Sequence, residues 1–168
     1  MIFIILSINL VIYLETLYMT EIKFVDFDEI YLNKSWEWLQ DEEIRILTNT
    51  PPFTKSQQQI FYESLPRKDY LIWGVEVDKL PIGVLGLKNI KHGKGEYFGY
   101  IGNKDYWGKG LFKEMKLYIL EKAKENEIDY IYLKVIKGNK RAIRAYHREG
   151  FILEKENEDS IEMVLRIL

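Results

Sequence analysis

Three strand-like segments follow one another almost without interruption between residues 70 and 102, and this run narrows the fold more than any other feature. YLIWGVEV at 70–77 and LPIGVLGLKNI at 80–90 are separated only by Asp78 and Lys79. A two-residue connection suits a tight hairpin and is far too short for a crossover, so the spacing predicts an antiparallel pair. GEYFGYIG at 95–102 continues the meander. EIKFVDF at 21–27, DYIYLKV at 129–135, GFILEKE at 150–156 and SIEMVLRIL at 160–168 read as further strands, the second alternating Tyr130, Tyr132 and Lys134 with Ile131, Leu133 and Val135.

A sheet needs covering layers, and helical patterns lie between the strands. Residues 28–39 and 55–65 read as helices, parted by the acidic turn Asp41-Glu42-Glu43 and by the corner Thr50-Pro51-Pro52-Phe53, with Thr54 as a cap. Residues 110–126 place Leu111, Met115, Tyr118 and Ile119 on one face, and a short helix is expected over 140–148. The predicted order is one strand, two helices, three strands, a helix, a strand, a helix and two strands. It describes a single mixed α/β (α+β) layered domain over residues 19–168. The apolar start MIFIILSINLVIYL is shorter than the roughly 20 residues of a membrane helix and has no basic residue before Lys23. Residues 1–18 are therefore expected to be an apolar extension upstream of a natural start at Met19, or an extra element packed on the domain.

Composition removes several kinds of chemistry. The chain has no cysteine and only two histidines, His92 and His147, so thiolate metal sites, disulfides and cysteine nucleophiles are excluded and no metal is expected. A net charge of −2 gives no basic field for a nucleic acid. A cytoplasmic protein without nucleic-acid or membrane partners is the expectation.

Two constellations could carry chemistry. Tyr106-Trp107-Gly108-Lys109-Gly110 lies between strand 95–102 and helix 110–126, where free amides and the helix dipole favour an anion. Glycines there let a pyrophosphate approach the backbone, and Lys104, Lys109 and Lys113 add positive charge. The spacing fits neither a nucleotide-hydrolase loop nor a dinucleotide fingerprint, and an ordinary strand-to-helix turn is the other reading. Asn139, Ala142 and Tyr146 share a helix face that ends at Gly150-Phe151. They form either a slot for a thin ligand closed by a phenol or a capped helix with a buried tyrosine.

Taken together, these residues resemble the GNAT family of N-acetyltransferases. The family's Q/R-x-x-G-x-G/A turn is matched by Trp107 to Phe112, with Gly110 at the first glycine, Trp107 in place of Gln or Arg, and Phe112 in place of Gly or Ala. The N-x-x-A-x-x-x-Y-x-x-x-G-F motif is matched in full by Asn139, Ala142, Tyr146, Gly150 and Phe151. The resemblance implies an acyl-CoA N-acyltransferase fold with a mixed, mostly antiparallel sheet and helices on both faces. It implies acetyl-CoA as co-substrate, with Trp107, Gly108, Lys109, Gly110, Leu111, Phe112 and Lys113 around the pyrophosphate and Asn139 and Ala142 also binding the cofactor. The backbone near Tyr100, Ile101 and Gly102 would pair with pantetheine, and Tyr146 would be the general acid. It leaves a homodimer open.

Direct acetyl transfer needs a neutral amine, a polarised carbonyl and a proton for the departing thiolate. Glu96 is the candidate base, or else a solvated strand-end carboxylate. The acceptor side is expected from residues 35–56, with Trp36, Trp38 and Phe53 as stacking walls and Asp41, Glu42 and Glu43 drawing an ammonium, or with core tryptophans and a solvated turn instead. The resemblance points to a small primary amine, an amino sugar or nucleotide-linked amino sugar. Protein amino termini, or CoA binding without turnover, are the alternatives.

Overall fold

The structure, a computed structural model, describes residues 21–167, so the expectation for residues 1–18 lies outside the described residues. After β1 (Ile22–Asp26), helix α1 (Glu29–Gln40) is capped by the Asp28 carboxylate, which accepts from the Ile30 and Tyr31 amides. The expected acidic turn is instead the start of a further helix, α2 (Glu42–Thr48). Asp41 caps it by accepting from the Ile44 amide at 3.1 Å, and Glu42 and Glu43 suit the positive end of its dipole. Two turns are too short for a readable hydrophobic period, which is why capping residues read as a turn. Helix α3 (Lys55–Glu63) opens with a reciprocal Thr54/Gln57 capping box.

The meander forms as the hairpin spacing requires: β2 (Tyr70–Val77), β3 (Leu80–Lys91) and β4 (Lys94–Ile101) pair antiparallel. A single turn at Lys104–Tyr106 leads to helix α4 (Phe112–Glu125), then β5 (Tyr130–Ile136), helix α5 (Lys140–Arg148), β6 (Ile152–Glu156) and β7 (Ser160–Arg166). The seven strands lie in the order β1-β2-β3-β4-β5-β7-β6, and only β4 and β5 run parallel, because α4 carries the chain back between them. Their pairing covers Lys94–Glu96 against Tyr130–Tyr132 and stops there. Beyond Glu96, β4 stays on β3 as far as Ile101 while β5 stays on β7. The sheet is forked.

Helices cover both faces. Val75 on β2 and Leu85 and Leu87 on β3 pack with Met115, Ile119 and Ala123 of α4. Gly74, one residue before Val75, faces the other way and receives the ring of Tyr31 from α1. A methyl carbon on Gly74 would lie 2.3 Å from the Tyr31 Cζ atom. Gly74→Ala is therefore expected to destabilise the protein by about 1–3 kcal/mol through overpacking, seen as a lower urea midpoint. An unchanged midpoint would mean that α1 is not seated on the sheet in this way.

Candidate active site

The fork opens onto a cavity of about 870 Å³ that reaches from α1, α3 and β2 through the split to α4 and α5. On the α4 side the chain enters its helix through Gly108 and Gly110, at φ 74° and 75°, backbone conformations that favour glycine. A Cβ at either position would meet no atom within 4 Å, so the space above the turn is open. Helices α1, α2, α3 and α5 have side-chain caps from Asp28, Asp41, Thr54 and Asn139, whereas Leu111 gives α4 none. The first amides of α4 thus have no side-chain acceptor where the chain lines the cavity, an arrangement that suits an anion.

The two departures from the family turn have structural roles. Trp107 donates its indole N–H to the Ile101 carbonyl at 2.7 Å, tying the turn to the end of β4, and the Arg141 guanidinium stacks 4.1 Å from its ring centroid. Phe112 fills the space behind Tyr146, with ring centroids 4.8 Å apart and nearly perpendicular, and also packs on Tyr97 and Phe151. The larger side chain is absorbed by an aromatic cluster and leaves the turn open.

Asn139 accepts from the Ala142 amide at 3.2 Å and so caps α5. Ala142 and Tyr146 line the cavity from this helix. Burial pushes the Tyr146 phenol up to about 12. Among the described residues its hydroxyl has no hydrogen-bond partner, yet it is not sealed from the cavity.

The free edge of β4 differs from expectation by one residue. The Gly102 amide bonds to Ile82 at 2.8 Å, and the Tyr100 carbonyl lies against Gly83, so both residues direct their backbone groups to β3. Alternation then gives the side facing the fork to Gly99 and Ile101. The Ile101 carbonyl is already bonded to Trp107, leaving Gly99 as the clearest free backbone edge. Gly99, not picked out by the sequence reading, lines the cavity, whereas Gly102, covered by the Trp38 ring, and Lys113 do not. Lys104 also leaves the cradle: it pairs with Asp41 at 2.8 Å and Glu43 at 2.7 Å, its ammonium holding the Asp41 carboxyl below the usual range.

Glu96 sits where β4 and β5 part, and it is 6% exposed, which overturns the solvated strand-end reading. Its carboxylate accepts from Asn89 at 2.8 Å and faces the Lys88 ammonium at 3.4 Å. On the same side of β4 lie Phe98 and Tyr100, and across from them Phe61 and Tyr70, whose rings stack edge to face. Gln58 bonds Ser35 and the Leu32 carbonyl above them. Phe53 lines this chamber as expected, but Trp36 and Trp38 do not: Trp36 packs on Phe53, and Trp38 packs on Tyr100 and Gly102.

Residues 32–151 match the model of the acetyltransferase (GNAT) family. The chain belongs to that family, and as a member it is an acyltransferase. Solved structures share its fold. A domain from Methanocaldococcus jannaschii DSM 2661 is 15% identical with a TM-score of 0.79, covering 88% of this chain and 99% of its own. Spermidine N-acetyltransferase from Vibrio cholerae, in complex with CoA and spermine, is 18% identical at a TM-score of 0.78, over 86% of this chain and 95% of its own. The Campylobacter jejuni N-acetyltransferase PseH, in complex with acetyl coenzyme A, is 21% identical at 0.67, over 87% and 99%. A comparison with curated proteins finds no match.

Proposed function

We propose that the protein transfers the acetyl group of acetyl-CoA to a primary amine of a small molecule, with amino sugars and nucleotide-linked amino sugars as the acceptor class. The forked sheet carries the reading: one opening joins an uncapped helix N-terminus, a free strand edge and a half-buried phenol. These suit the pyrophosphate, the pantetheine amides and the thioester sulfur respectively. The structural relatives that hold CoA or acetyl coenzyme A support the same donor.

In the proposed reaction the neutral amine attacks the thioester carbonyl. A C–N bond forms, the C–S bond breaks and the electron pair leaves on sulfur. The amine proton passes through water towards the Glu96 carboxylate, and Tyr146 donates a hydrogen bond to the departing sulfur. With its pKa pushed up to about 12, the phenol is roughly three-thousandfold weaker as an acid than an ordinary thiol near 8.5. Its contribution is charge stabilisation, and solvent completes protonation of the thiol.

The acceptor class is inferred from the walls. Among the described lining residues Glu96 is the only carboxylate, and Lys88 already pairs with it. Structural relatives include a spermidine acetyltransferase and an aminoglycoside acetyltransferase. A polycation of either kind would find little negative charge here, while aromatic rings and neutral polar groups suit a sugar. The test is thiol release from acetyl-CoA with free amino sugars, nucleotide-linked amino sugars, spermidine and a peptide amino terminus. Amino sugars are expected to turn over fastest; faster turnover of spermidine or the peptide would overturn the acceptor assignment.

A further inference from the structure

The far end of β3 is irregular beside the carboxylate at the fork. Lys88 pairs with Glu96 and Lys91 with Lys94, so Asn89 and Ile90 stand opposite Gly95 alone, two residues against one. Asn89 has left-handed backbone at φ 53°, a position that glycine usually fills in such a bulge. The residue is exposed, and among the described residues its side chain makes one hydrogen bond, donated from Nδ2 to Oε2 of Glu96 at 2.8 Å. Lys88, just before the bulge, faces the other carboxylate oxygen, Oε1, at 3.4 Å. A carboxylate oxygen has two acceptor sites, so one donor on each leaves Glu96 able to take a proton from the cavity it lines.

We propose that Asn89 is a positioning residue for acetyl transfer: the bulge brings its amide onto Glu96 and fixes the plane of the carboxylate that receives the amine proton. The proposal rests on Glu96 being that base. Asn89 itself neither gives up nor takes a proton. It holds Oε2 while Lys88 faces Oε1, and a carboxylate engaged at both oxygens is restrained from turning away from the fork. Asparagine tolerates the left-handed conformation better than most side chains, but glycine adopts it more easily still. An exposed side chain also adds no core packing, so the fold alone gives no reason for an amide here. A hydrogen bond to a charged acceptor that is 6% exposed gives one.

The test is a double-mutant cycle on the full-length protein with Asn89→Gly, Glu96→Gln and the two combined. Each is read as thiol release from acetyl-CoA with glucosamine and with UDP-glucosamine, and as a urea midpoint. Glu96→Gln is expected to lower kcat by about 100-fold, as removal of a general base does. Asn89→Gly is expected to lower kcat by about tenfold, to leave KM for both substrates unchanged, and to unfold at the same or a higher urea concentration. In the Glu96→Gln background it is expected to cost nothing further, because no carboxylate remains to be held. A wild-type kcat in Asn89→Gly, a lower urea midpoint, or a loss that persists without the Glu96 carboxylate overturns the proposal. A Glu96→Gln variant as active as the wild type overturns instead the base reading beneath it, and no thiol release by the wild type with either amine overturns the acceptor class on which both stand.

Discussion

Tyr146→Phe is expected to lower kcat by about 10- to 100-fold and to leave KM for acetyl-CoA unchanged. The substitution keeps the ring that packs on Phe112, Tyr97 and Phe151 and removes only the hydroxyl. What is lost is one hydrogen bond to a sulfur that becomes negative as the C–S bond breaks, of about 1.5–3 kcal/mol for a charged acceptor. Because that charge exists only in the transition state, the loss falls on kcat. The pH dependence follows from the burial of the phenol. A raised pKa keeps the donor protonated through the neutral range, and it is lost only as pH rises through about 12. The wild-type rate should therefore rise as the acceptor amine deprotonates and show no fall due to Tyr146 near neutral pH. A descending limb near neutrality that disappears in Tyr146→Phe would contradict this role.

Gly110→Glu is expected to weaken acetyl-CoA binding by about 100-fold or more. A side chain at φ 75° carries a backbone cost of about 1–2 kcal/mol, and no neighbour within 4 Å holds it back from the open cleft. Its carboxylate would stand where the α4 amides and Lys109 favour an anion, and like charges repel. Gly110→Ala separates the two effects, since it keeps the strain and lacks the charge; its loss should be about tenfold smaller. Equal losses in the two variants would mean that backbone conformation alone governs the site.

What the sequence made legible was local. The hairpin at Asp78-Lys79, the Asn139 cap and the glycine turn are set by residues a few positions apart, and each forms where the spacing places it. The missed features depend on contacts across the fold. Helix α2 is two turns long and shows itself chiefly through the Asp41 cap. The burial of Glu96 requires Asn89 and Lys88 from the neighbouring strand. Which residues of β4 face the fork depends on pairing with β3, and a shift of one residue exchanges Tyr100 for Gly99. The Trp107 and Phe112 substitutions become intelligible only through the Ile101 carbonyl and the Tyr146 ring that they meet.

The central claim is that the fork binds acetyl-CoA as the acetyl donor, and titration of the unmodified protein with acetyl-CoA by calorimetry tests it most directly. The account predicts saturable one-to-one binding, competed by free CoA and lost in Gly110→Glu. No heat of binding from the folded wild-type protein at any accessible concentration of acetyl-CoA would contradict it.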